Sequence, residues 1–113
     1  MKQTNLDQIM NRIKQYEAQK HFVLAAELAE EYDLLEEAVR LYLKQGNSCS
    51  YNAAVLEKKL GHLENSNKLY DQAIEFFEND GIYYTAVGIA REKGDLQKEA
   101  ALREKYHLDP NYP

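Results

Sequence analysis

The chain has 113 residues, 44% of them hydrophobic and 29% charged, with a formal net charge of −5. That is the composition of one globular domain, neither disordered nor fibrous, burying roughly two-thirds of its unfolded surface. The acidic balance argues against nucleic acid, whose phosphates call for a basic face, and the longest apolar run, FVLAA from Phe22 to Ala26, is far short of the ~20 residues that cross a bilayer.

The start, MKQTN, lacks the apolar centre of a secretory signal, so a cytoplasmic protein is expected. The two prolines, Pro110 and Pro113, stand at the far end, so none removes a backbone donor from a helix in the first 109 residues. Leu6, Ile9, Met10, Ile13 and Tyr16 recur at three- and four-residue spacing, which predicts an amphipathic N-terminal helix over residues 1–19, with Thr4 and Asp7 as a capping pair. Two further stripes follow, Phe22, Ala25, Ala26, Leu28, Ala29 and Tyr32, then Leu35, Ala38, Val39, Leu41 and Tyr42. Gly46 and Asn47 read as a helix stop and a helix start. The single cysteine, Cys49, excludes an internal disulfide and agrees with a reducing compartment. Tyr51, Ala54, Val55 and Leu60 mark a fourth helix ending at Gly61. Leu69, Tyr70, Ala73, Ile74 and Phe77 mark a fifth and longest, closed by Gly81. Tyr83, Ala86, Val87, Ile89 and Ala90 form a sixth, ending near Gly94, and Leu96, Ala100, Leu102 and Tyr106 a seventh. The reading is all-α, one domain over 1–113, with helix pairs over 20–46, 48–79 and 82–107.

A phrase recurs along the chain. Adding 28 to Ala25, Ala26, Leu28, Leu35, Ala38, Leu41 and Tyr42 gives Ala53, Ala54, Leu56, Leu63, Ser66, Leu69 and Tyr70, each of the same class. Adding a further 33 gives Ala86, Val87, Ile89, Leu96, Glu99, Leu102 and Arg103, and here the small residue is expected to slip by one, to Ala100. Paired small residues let two helices approach closely, the turn needs a residue tolerant of a left-handed backbone, and the leucine and tyrosine fill the space between pairs. One pair cannot bury its own apolar face, so such units come in stacks.

The order small-small, then LGHL or KGDL at the turn, then a small residue and a tyrosine resembles the tetratricopeptide repeat. More loosely it is similar to the hairpin arrays of the soluble vesicle-fusion attachment proteins and of coat-protein solenoids. AVGIAREKGDLQKEAAL at 86–102 carries the resemblance most closely, and LDPNY at 108–112 looks like the segment joining one repeat to the next. The likeness covers about residues 20–112; the chain departs from it in having no tryptophan, spacings of 28 and 33, and Asp33 where glycine is usual. It implies about seven antiparallel helices stacked as hairpins in an α-solenoid, with a peptide or protein bound in a concave groove lined by the first helix of each hairpin. A full set of basic and asparagine residues for clamping a terminal carboxylate is not found.

Chemistry-bearing patterns are few. His21, His62 and His107 are 41 and 45 residues apart, without the i, i+4 spacing of a helical metal site. Cys49 lies between Ser48 and Ser50 with no histidine near in sequence. The glycines are single and widely spaced, which excludes a phosphate loop, and nothing singles out an acid and base pair among the carboxylates. Neither an enzyme, a cofactor nor a metal is expected. Residues 27–37 carry six acids and no base, while residues 38–62 are mainly basic, as solvated helix faces are.

Nine tyrosines point instead to recognition, since tyrosine combines apolar area with a polar tip. Tyr32, Tyr42, Tyr70 and Tyr106 sit in the repeat phrase as packing residues. Tyr51 and Tyr84, with Val55, Lys58 and Arg91, are the candidate partner-binding set, an aromatic and basic surface suited to apolar anchors flanked by Asp or Glu. The expected function is an adaptor binding a peptide or helix of another protein, as a monomer or weak homodimer, with neither nucleic acid nor membrane as partner. The alternatives are a structural protein stacking on copies of itself and, behind it, a small enzyme or ligand carrier.

Overall fold

The computed structural model of the chain describes residues 2–111, with side chains from residue 5 onward. Its elements are α1 (Lys2–Ala18), α2 (Phe22–Glu31), α3 (Leu35–Gln45), a 3-10 turn (Asn47–Cys49), α4 (Ser50–Lys59), α5 (Leu63–Asn79), α6 (Tyr83–Lys93) and α7 (Leu96–Lys105). The all-α expectation holds: seven α-helices and no strand among the described residues. α1 already begins at Lys2, so Thr4 lies inside the helix instead of at its start, and its side chain is outside the described residues, as is Tyr112.

Each helix packs on the one that follows it, from α1 on α2 through α6 on α7, and the molecule is drawn out to 54 × 27 × 21 Å. Close approach is possible because the contacts are made by small side chains. Ala25, Ala26, Ala29, Ala38, Ala53, Ala54, Ala86 and Ala90 are all fully buried, with Leu41, Leu56, Ile13 and Ile74 filling the space around them. Where the second copy of the phrase has serine for alanine, the hydroxyl is satisfied: Ser66 Oγ donates to the Ala54 carbonyl at 2.8 Å, as a buried polar group requires.

Six of the helix ends share one turn. The N–H of the residue after the turn donates to the carbonyl five residues back, at 2.8–3.0 Å, for His21, Leu34, His62, Ile82, Asp95 and Leu108. The residue before each donates to the carbonyl three back, and the two bonds together make the Schellman closure of a helix. That inner residue has positive φ in every case: Lys20, Asp33, Gly61, Gly81, Gly94 and His107. Asp33 therefore does the work of Gly61 and Gly94, and Lys20 and His107 do the same at the ends of α1 and α7.

The expected slip in the third copy does not occur. Glu99 N–H donates to Asp95 O, as Ala38 N–H does to Leu34 O and Ser66 N–H to His62 O, so Glu99 holds the small residue's position and Ala100 is exposed. Among the described residues no helix follows α7. The position holds a carboxylate, 13% exposed, which takes bonds from Arg91 Nη2 at 2.7 Å and Arg103 Nη2 at 3.1 Å. Arg103, in the tyrosine's place, is 7% exposed and also donates to the Asp109 carbonyl at 2.7 Å.

Candidate functional site

Two adjoining surface clefts lie around Tyr51, in the first turn of α4. With Glu30, Asn52 and Val55 it lines a cleft of about 220 Å³, and with Phe77, Thr85, Gly88, Ile89 and Glu92 a second of about 350 Å³. The half-buried Tyr51 ring is the wall between them. α2, α4 and α6 thus supply the lining, with Phe77 of α5 behind.

The ring is held from two sides. Tyr51 Oη donates to Glu92 Oε1 at 2.8 Å and Tyr70 Oη donates to Glu92 Oε2 at 2.9 Å, while the two rings meet edge to face with centroids 6.1 Å apart, a favoured arrangement for aromatic pairs. Burial first, then the Glu92 carboxylate, push both phenols upward from their ordinary value, so each keeps its proton and its role as donor. Glu30 is fixed in the same way by Tyr42 Oη at 2.8 Å, and burial followed by Glu30 raises that phenol too. Neither Glu30 nor Glu92 joins an ion pair among the described residues. The floor of the second cleft is open because Gly88 has no side chain, and a Cβ placed there meets nothing within 4 Å.

Of the residues singled out from sequence, the structure brings Tyr51 and Val55 together in one cleft. Lys58 is exposed in the last turn of α4 and lines neither cleft. Tyr84 is 42% exposed, and its hydroxyl accepts the Asp109 N–H at 3.3 Å, on the side of the C-terminal segment. Arg91 turns toward α7, where Glu99 takes its Nε at 3.0 Å and its Nη2 at 2.7 Å. The basic and aromatic surface expected from sequence is therefore not assembled around Tyr51. Its immediate charges are carboxylates, because α2 and α6 present Glu30 and Glu92 there while Arg91 is neutralised by its own neighbour. Glu30, Asn52, Thr85, Gly88 and Glu92, which line the clefts, were not singled out from sequence. The repeat offset holds the signal for two of them, since 33 carries Asn52 onto Thr85 and Val55 onto Gly88.

Other polar clusters are structural ties. Glu17 of α1 accepts from Arg40 Nη2 at 2.8 Å and Lys44 Nζ at 2.7 Å, while Arg40 also pairs with Glu37. Hydrogen bonds from Arg40 and then Lys44 hold the Glu17 carboxyl at about 2, below its ordinary 4.5. Asp71 of α5 binds Lys93 at 2.8 Å and Lys98 at 3.1 Å; burial works against its ionisation, but the two lysines outweigh it and its pKa falls. His62 Nδ1 lies 3.0 Å from Glu57 Oε1. Cys49 is buried in the 3-10 turn. No group of three or more metal-ligating side chains occurs among the described residues, and no described helix is long and apolar enough to cross a membrane. Compared with family models, curated proteins and solved structures, the chain matches none.

Proposed function

We propose that this chain is a tetratricopeptide-like helical-repeat adaptor that takes a segment of another protein in a groove formed by α2, α4 and α6. The observation that carries the reading is the pair of clefts divided by Tyr51 on the first helix of each successive helix pair. Three features support the repeat itself. The small residues at the start of each unit are buried alike, Ala25, Ala53 and Ala86 among them; the turns at Asp33, Gly61 and Gly94 are alike; and each helix packs on its neighbour in sequence. Stacked hairpins in an α-solenoid produce that combination, and a solenoid's inner surface is where such proteins bind extended partners. Tyrosine at the centre of the groove suits recognition, because a buried aromatic anchor dominates interface energy.

A photo-crosslinking amino acid at Asn52, which lines a cleft, is expected to form an adduct with a partner protein in cells. The same group at Lys68, 69% exposed outside both clefts, is expected to form none. Equal labelling at the two sites overturns the groove.

Self-association is the second reading, favoured by the two ends of the molecule. Leu96 is 68% exposed and, with Ala100, Leu108 and Pro110, borders a cavity of about 450 Å³; at the far end Leu6, Ile9 and Tyr32 border one of about 390 Å³. Light scattering after size exclusion gives the 13.1 kDa monomer if the adaptor reading holds, and a multiple of it if the ends stack.

A further inference from the structure

The charge around Tyr51 bears on what the groove takes, and this inference rests on the groove reading above. Glu30 lies on one side of the ring and Glu92 on the other. Both carboxylates are held in place by tyrosine hydroxyls and neither has a cationic partner among the described residues. Glu17, Asp71, Glu78 and Glu99, by contrast, are each matched by an arginine or lysine. Beside the charged pair is an apolar recess, backed by Phe77 and Ile89 and left open at Gly88.

We propose that the Tyr51 groove takes a partner segment in which an arginine or lysine stands next to an apolar side chain. The cation lies against the Tyr51 ring between Glu30 and Glu92, and the apolar side chain fills the recess over Gly88. An aromatic face attracts a cation within ~6 Å of its centroid, and the two carboxylates add charge from either side. An arginine suits the place better than a lysine, because its planar guanidinium stacks on an aromatic ring and pairs with a carboxylate through two hydrogen bonds. An acidic segment meets like charge at both walls, which costs affinity and slows encounter. The occupant is thus opposite in sign to the one the sequence alone suggests, because Arg91, the cation expected here, is spent on Glu99.

Gly88 provides a clean lever. It is an exposed position inside α6 with nothing near a new Cβ, so Gly88→Gln fills the recess without changing charge and without opposing the helix. The probe is a displayed library of random twelve-residue peptides selected on the intact chain, with the enriched peptides then titrated by fluorescence anisotropy. Enriched sequences are expected to carry Arg or Lys beside Leu, Ile, Phe or Met. Their binding is expected to weaken roughly tenfold on Gly88→Gln, the scale of losing one anchor. It should weaken several-fold on the double substitution Glu30→Gln and Glu92→Gln, and again on raising salt. Glu75→Gln, on α5 outside both clefts, should leave it unchanged. Acidic or uncharged peptides that still lose binding on Gly88→Gln overturn the basic occupant and leave the groove standing. Basic peptides indifferent to Gly88→Gln reveal diffuse charge attraction and overturn both. If nothing is enriched, both fall.

Discussion

α5 and α7 carry the same phrase and meet different fates. In α5, Ser66, Leu69 and Tyr70 are all buried, with α4 on one side and α6 on the other. In α7 the matching positions are Glu99, Leu102 and Arg103. Leucine is still buried at 6%, but a carboxylate and a guanidinium have replaced the serine and the tyrosine. The lesson is that the leucine and the small residue answer to the helix within the pair, where Ser66 meets Ala54, whereas Tyr70 reaches Glu92 of the next helix along. Where no next helix follows among the described residues, an ion pair between Glu99 and Arg103 at 3.1 Å does what packing does elsewhere.

Exchanging the small-position residues between the two helices tests this most severely. Ser66→Glu places a carboxylate where the hydroxyl meets the Ala54 carbonyl, at a position 1% exposed. It is expected to cost about 3–5 kcal/mol, the penalty of a buried charge without a partner. The reverse, Glu99→Ser, is expected to cost less, because Arg103 keeps its bond to the Asp109 carbonyl and Arg91 is exposed. Denaturant titration of both variants decides; equal costs break the distinction between covered and uncovered helices.

Next come the leucines. Leu69→Ala, at 8% exposure, is expected to lose about 2–5 kcal/mol through lost contact and a residual cavity. Leu96→Ala, at 68% exposure, is expected to stay within about 0.5 kcal/mol. A large loss at Leu96 in the isolated chain, especially one that grows with protein concentration, shows that α7 is covered in solution by a second copy.

The helix ends sharpen the comparison further. α5 closes with Gly81 and α7 with His107, both at positive φ, 76° and 55°. A side chain in that region costs about 1–2 kcal/mol, part of which glycine returns as unfolded-state entropy. His107→Gly should therefore raise stability by about 0.5–1 kcal/mol, visible as a higher melting temperature. Gly81→Ala should lower it by a similar amount.

The smallest effect is at the opposite end, where α1 is tied down by charge as α7 is. The Glu17 carboxyl is held at about 2 against an ordinary 4.5, so its folded pKa is depressed. The stabilisation it gives is complete above the ordinary value and is lost as pH falls from about 4.5 toward 2. Glu17→Gln should flatten the stability profile in that window and leave it unchanged in shape above pH 6. An unaltered acid limb means that other carboxylates carry it.

Helices, turns and most of the core were legible in the sequence, because each is fixed by residues close together in the chain. Three- and four-residue spacing is enough to mark a stripe, and Gly61, Gly81 and Gly94 announce their turns because a residue without a Cβ tolerates a left-handed backbone. Lys20 was not legible as a turn residue, since its side chain favours no such conformation and the hydrogen bonds of the helix end impose it. Tyr51 and Val55 could be grouped by their place on one helix, whereas Arg91, grouped with them from sequence, lines neither cleft. Its guanidinium is within reach of Glu99, eight residues on and across a turn, and only the packing of α6 against α7 decides that pairing. The same holds for Glu92, which owes its position to Tyr51 and Tyr70, 41 and 22 residues away. Local pattern thus determines where helices lie and which face is apolar, whereas the sign of the charge presented to a partner depends on which distant side chains neutralise one another, and that is settled when the helices meet.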